Sequence, residues 1–204
     1  MKSFNWLLVL SVLSCIGCSS PVHEDGRGCA FVSDSIQYRV EFMSAGCVRI
    51  LSFPEGDTLV TKRLVGDSEK PAFKDYKWED TGQKLLFRTR ELSVVFDKAD
   101  AAFIFQETST GKLLLKEKGD RKARNFKRSV AGGEQCLEVT QRFVPTEDEA
   151  IYGLGQYQNG IMNYRGKSVL LLQANMDIVN PFLISTNGCL LYTSPSPRDR
   201  SLSR

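Results

Sequence analysis

Side-chain amides and phenol rings crowd into one stretch of the chain, Glu149 to Gly188. Gln156, Gln158, Asn159 and Asn163 stand beside Tyr157 and Tyr164, just after the glycine pair of Tyr152-Gly153-Leu154-Gly155. Amides donate to and accept from hydroxyl groups, and aromatic rings stack on sugar faces, so a glycine-rich turn presenting this mixture suits a carbohydrate. The same residues also suit a loop whose amides close on their own backbone. Residue types alone leave both readings open. A nucleotide does not fit: Gly-x-Gly cradles phosphate after a strand and before a helix, and here more strand-like runs follow.

Other chemistries find little support. His23 is the sole histidine, in a polar segment near the N-terminus, so a Ser-His or Cys-His nucleophile has no base in the body of this chain. Cys29, Cys47 and Cys136 lack metal-ligand spacing, and no metal or other cofactor is expected. An exported protein could oxidise two of these three thiols. The formal charge is +3, and Arg198, Arg200 and Arg204 against Asp199 account for two of it. The remainder is close to neutral and lacks the sustained basic face a nucleic acid requires. The one basic cluster, Gly119 to Arg128, reads as a solvated loop between two strands.

The elements that would position these residues are strands. Ile36 to Phe42 alternates apolar and polar, Ser44-Ala45-Gly46 turns, and Cys47 to Leu51 returns, which predicts a hairpin. Leu59 to Trp78 reads as mostly loop with one short strand. Further strands are expected at 84–89, 92–96, 102–106, 112–115, 136–143, 168–172 and 181–185. Many short strands, with no sustained helical period after the leader, predict an all-β antiparallel sandwich.

The N-terminus reads as an export signal. Lys2 precedes the apolar run Trp6 to Leu13, which is shorter than the roughly 20 residues a spanning helix needs. An apolar run ending in small residues and then cysteine resembles a bacterial lipoprotein signal. Val12-Leu13-Ser14-Cys15 makes Cys15 the lipidated residue, with Cys18 the alternative after Cys15-Ile16-Gly17. Residues 1–18 are then the signal and 19–28 a polar tether. Acyl chains would hold an exported protein on a membrane surface, periplasmic or cell-surface.

Three blocks of the central stretch look like one family. They are Glu149-Ala150-Ile151-Tyr152-Gly153-Leu154-Gly155-Gln156, Gln158-Asn159-Gly160 with Asn163-Tyr164-Arg165-Gly166-Lys167, and Pro181-Phe182-Leu183-Ile184-Ser185-Thr186-Asn187-Gly188. They resemble the N-terminal, galactose-mutarotase-like β-sandwich of glycoside hydrolase family 31, and within it the bacterial α-xylosidases. The resemblance runs from about 28 to 188 and is specific in its last forty residues, so 29–188 is expected to be that domain.

The resemblance implies a retaining α-glycosidase acting on oligosaccharides, here terminal α-linked sugars of plant origin. Such an enzyme uses two carboxyl groups about 5 Å apart. In the family both are aspartates of a (β/α)8 barrel that follows the sandwich, so no catalytic residue is assigned here and the chain alone is expected to be inactive. Asp148 and Glu149 then read as a polar lead-in to the glycine loop. A sandwich loop of the family helps shape the substrate pocket, and the matching segment is Gln173 to Asp177. Gln173, Asn175 and Asp177 are carried over as substrate-side residues, although some relatives have an Asn-Arg-Asp type of sequence where this chain has Gln173-Ala174-Asn175.

Beyond Gly188 the sequence changes character. Cys189 to Asp199 can be written as one reading frame of a transposase-end adapter used for sequencing libraries. Residues 189–204 are therefore expected to derive from that adapter, with the catalytic barrel absent. From another class comes a stand-alone carbohydrate-binding surface lipoprotein of one sandwich, which a genuine stop codon soon after Gly188 would favour. A purely structural sandwich is a third reading.

Overall fold

A computed structural model describes residues 22–57, 73–122 and 124–192. Its described residues are all-β, with fourteen antiparallel strands. β1 (His23–Asp25), β2 (Gly28–Ser33), β3 (Ile36–Ser44) and β4 (Cys47–Pro54) form one sheet in sequence order. β5 (Lys77–Asp80), β6 (Lys84–Arg88), β7 (Leu92–Asp97), β8 (Ala102–Glu107) and β9 (Leu113–Lys116) form a second, also in sequence order. A two-stranded ribbon follows, β10 (Arg124–Ala131) with β11 (Glu134–Gln141). The last sheet joins β12 (Ile151–Gln156), β13 (Ile178–Ser185) and β14 (Leu190–Tyr192).

Period-two alternation explains the sandwich. Tyr38, Val40 and Phe42 leave β3 on one side, and all are buried. They meet Leu85 and Phe87 of β6, Val94 and Phe96 of β7, and Phe103 of β8 in a single core. Phe96 sits within it, with ring centroids 4.8 Å from Phe31, 5.1 Å from Tyr38 and 4.9 Å from Phe103. These tilted pairs add to the area buried, by about 0.5–1.5 kcal/mol each.

Several local readings are corrected. The polar stretch 19–28 contains a strand: β1 pairs with β2, and Arg39 holds Asp25 through both guanidinium nitrogens at 3.0 and 2.6 Å. Ion pairing, which a polarity count cannot see, turns tether into sheet. The basic run 119–128 is not all loop. Its second half is β10, because Arg124 tucks inward and Ala131-Gly132-Gly133-Glu134 closes a hairpin. Ser168–Leu172 forms no strand; Leu170 and Leu172 are exposed, and no neighbouring strand pairs their backbone. Most of 59–78, expected as mostly loop with one short strand, falls in residues 58–72, which lie outside the described residues, as do the leader with Cys15 and Cys18 and residues 193–204.

The segment set apart from residue 189 begins inside a hairpin. Ser185 and Cys189 are bonded through their backbones, and Leu190, Leu191 and Tyr192 pair with Ile184, Leu183 and Phe182. Ladder bonds come from the backbone, so many apolar triplets after an Asn-Gly turn can complete this edge. Cys29, Cys47, Cys136 and Cys189 are free thiols. Burial pushes that of Cys29 up to about 11, which makes it inert.

Candidate functional site

The glycine pair sits in a strand, not in the turn expected of it. β12 bulges between Gly153 and Gly155, and Leu154 between them takes a left-handed φ of 66°. Both glycines lie flat against β13. A Cβ on Gly155 would stand 2.0 Å from the carbonyl oxygen of Ile178, and one on Gly153 2.5 Å from that of Phe182. The glycines therefore allow close backbone approach and a local twist, the two uses of a bulge.

The bulge aims the chain into the amide-rich loop. Tyr157 donates its hydroxyl to Leu154 O at 2.9 Å and meets Tyr164 edge-on at 6.5 Å. Asn163 Oδ1 accepts from the backbone of Ile151 and of Arg165, and Asn159 Oδ1 from that of Ile161. The two asparagines thus close the loop on itself, while Gln156 and Gln158 are exposed. Tyr164 is buried, so its ring is part of the support and not a free stacking face.

Beneath the loop lies a polar knot. Glu149 is buried; one carboxylate oxygen accepts from Ser185 Oγ and the other from Thr146 N at 2.8 Å. Arg165 Nη1 donates to the carbonyls of Thr146 and Glu149, and Asn187 Nδ2 donates to Thr146 Oγ1 at 2.8 Å. Glu149, expected as a polar lead-in to the glycine loop, is therefore a structural clasp. Nothing in the sequence spacing brings Thr146, Arg165, Ser185 and Asn187 together; the pairing of β12 with β13 brings Ser185 and Asn187, and the Tyr164 N–H to Ile151 O bond brings Arg165.

Gln173, Asn175 and Asp177 share one tight turn that enters β13. Ala174 and Asp177 form an isolated bridge, and Met176 turns with a φ of 72°. Gln173 closes it: Nε2 donates to Asp177 O at 2.9 Å and Oε1 accepts from Val179 N at 3.1 Å. Gln173 is thus occupied in shaping the turn. Asn175 is exposed at its tip, with Asp177 half-buried beside it. Among the described residues no cluster of His, Cys, Asp and Glu could hold a metal ion. A cleft of about 500 Å³ opens between the two large sheets near Asp34, and one of about 300 Å³ beside Glu91 and Gly188; Gln173, Asn175 and Asp177 line neither.

Known proteins share the fold of this chain. The profile of the glycosyl hydrolase 31 N-terminal galactose mutarotase-like domain matches residues 37–192. The chain belongs to glycosyl hydrolase family 31. It is similar to an α-xylosidase of Saccharolobus solfataricus, 30% identical over 169 residues that cover 76% of this chain and 21% of that protein. Among solved structures, a family 31 α-xylosidase of Xanthomonas citri superposes with a TM-score of 0.67 at 29% identity, over 81% of this chain and 18% of the other. A family 31 α-xylosidase from a soil metagenome, solved with xylose, shares the fold with a TM-score of 0.61 at 24% identity, over 83% and 27% of the two chains. The chain thus spans about a fifth to a quarter of these relatives. The family match begins within β3, and its last residue, 192, is the last of β14.

Proposed function

We propose that this domain belongs to a retaining α-glycosidase of the α-xylosidase type, exported and lipid-anchored through Cys15 or Cys18, that hydrolyses terminal α-linked sugars of plant oligosaccharides. The observation that supports the sugar most directly is the likeness to α-xylosidases from Saccharolobus solfataricus at 30% and Xanthomonas citri at 29% identity. In this reading the domain does not cleave the bond. Retaining hydrolysis needs two carboxyl groups free to face the substrate about 5 Å apart. Glu149, the buried carboxylate beneath the loop, is instead held on both oxygens by Ser185 and Thr146.

Its contribution is to offer Asn175 and Asp177, on a turn stiffened by Gln173, to the edge of a sugar pocket. A rigid two-residue presentation costs little ordering when substrate binds. Two assays test this. The chain by itself should not turn over p-nitrophenyl α-xyloside; activity above background refutes the division of labour. The longer enzyme carrying this domain should have a higher kcat/KM on that xyloside than on the α-glucoside. The reverse order would refute the sugar assignment.

A further inference from the structure

The bulge in β12 has a use further along the chain. Gly153 lies opposite Leu183 and Gly155 opposite Val179, so Leu154 has no partner in the ladder. It also sits at a φ of 66°, where a residue other than glycine carries strain. Bulges re-aim side chains, and here the side chain is that of Tyr157. Its hydroxyl donates to Leu154 O at 2.9 Å. Its ring meets that of Tyr164 edge-on, with centroids 6.5 Å apart and planes at 72°. Tyr164 is itself buried, and its N–H donates to Ile151 O at 2.8 Å. Tyr157 is thus braced twice, half-buried and still partly open to solvent.

The pairing also fixes what the ring stands beside. Gly155 faces Val179 and Gln156 faces Ile178, so the next residue, Tyr157, comes level with Asp177. The two side chains interact: burial first, then Tyr164 and the Asp177 carboxylate, push the Tyr157 phenol above its ordinary value. Gln173 makes both bonds that close the turn, which leaves Asn175 and Asp177 out of that task. An aromatic ring beside an amide and a carboxylate is a composition that holds a pyranose. The ring takes the C–H face, and the polar groups take the hydroxyls. Gln156 and Gln158 flank the tyrosine and are exposed, so each would lose rotamer freedom on binding. Tyr157 is already fixed and orders at little cost.

We propose that Tyr157 determines specificity as a stacking platform for the sugar unit next to the one cleaved, held beside Asn175 and Asp177 by the bulge of β12. This rests on the hydrolysis of terminal α-linked sugars proposed above. In that reading the terminal unit lies inside the pocket, and the rest of the oligosaccharide leaves across its edge. Asn175 and Asp177 stand at that edge, so a ring beside them meets the second unit and not the first. The ring recognises the flat apolar face that pyranoses share. A substrate with a second sugar gains from it, and a substrate with one sugar does not. The two glycines then act on binding from a distance: they place Leu154 O, which places the ring.

The test uses the longer enzyme carrying this domain, with an α-xylosyl-glucose disaccharide and with α-xylosyl fluoride, which has no second sugar. Tyr157→Leu fills the space against Tyr164 without a flat face. It should raise KM for the disaccharide about tenfold with kcat unchanged, the pattern of a lost binding contact. Both constants for the fluoride should stay as they are. Tyr157→Phe keeps the ring and should restore most of the disaccharide KM. An unchanged disaccharide KM in Tyr157→Leu overturns the platform; a KM that Asn175→Ala still raises then leaves the proposed function standing. A loss shared equally by the fluoride, or a Tyr157→Phe enzyme as poor as Tyr157→Leu, shows a ring that only supports the loop and overturns the platform as well. An enzyme that turns over neither substrate overturns the proposed function and this inference with it. Should Tyr157→Leu not fold, 4-fluorophenylalanine at position 157 reads the contact on an intact ring. Its fluorine signal should shift when an uncleavable sulfur-linked disaccharide is added, and a still signal overturns the platform.

Discussion

Replacing Arg124 with methionine tests how the β10–β11 ribbon is held to the sandwich. The Arg124 side chain is 7% exposed and the Glu117 side chain beside it 1%. Arg124 Nη2 donates to one Glu117 oxygen, and the other accepts from Phe103 N at 2.9 Å. Arg124 Nε donates to Gln141 across the ribbon, and its guanidinium lies over the rings of Tyr38 and Phe103 at 5.3 and 5.0 Å. Removing it strands a buried carboxylate, a loss of about 3–5 kcal/mol. With a urea slope of about 2 kcal/mol/M, the unfolding midpoint should fall by about 2 M. Burial already pulls the Glu117 pKa above its ordinary 4.5, against the pull of Arg124 and the Phe103 N–H. Without Arg124 the folded value rises further. The protonated carboxyl escapes the penalty, so the deficit should be small below pH 4.5 and grow as pH rises. The double variant Arg124→Met, Glu117→Gln should recover most of the loss, because the neutral amide keeps an acceptor for the Phe103 N–H and leaves no unpaired charge buried. A single-variant loss under about 1 kcal/mol, the worth of an exposed pair, would refute the reasoning. So would a double variant no more stable than the single.

Other substitutions follow from the same geometry. Gly155→Ala puts a Cβ 2.0 Å from Ile178 O at a φ of 122°, so it should cost at least about 3 kcal/mol and abolish amide exchange protection along β12 and β13. Asp25→Asn should lower stability by about 1 kcal/mol at pH 6, a figure discounted for a carboxylate one-third open to solvent. Because the folded Asp25 pKa is depressed from 3.8 to about 2, the difference between native and variant should shrink as pH falls through that window and vanish below it. In the longer enzyme, Asn175→Ala should raise KM for oligosaccharide without moving the thermal midpoint. Gln173→Ala, which loses two turn-closing hydrogen bonds worth about 1–2 kcal/mol together, should raise KM and also speed exchange at Val179. An unchanged KM in both would remove this turn from the sugar pocket.

The sequence by itself determined the class of fold and the family. Period-two alternation at Ile36–Phe42 and the strands from Lys84 to Leu115 carry burial information locally, since each residue's side of the sheet follows from its parity. The blocks from Glu149 to Gly188 carried the family resemblance. What only the tertiary structure decided concerns partners far apart in the chain. Arg124 reads as one more charge in a basic run until Glu117, Tyr38 and Phe103 surround it. Glu149 reads as a polar lead-in until β13 brings Ser185 beneath it. Asp25 and Glu24 read as tether until Arg39, Tyr76 and Trp78 claim them. Gly153 and Gly155 read as a turn until the backbone of β13 is found against them. Parity along a strand is a local property of the chain. The pairing of a buried charge is not, because its energy depends on which distant group replaces the water it loses.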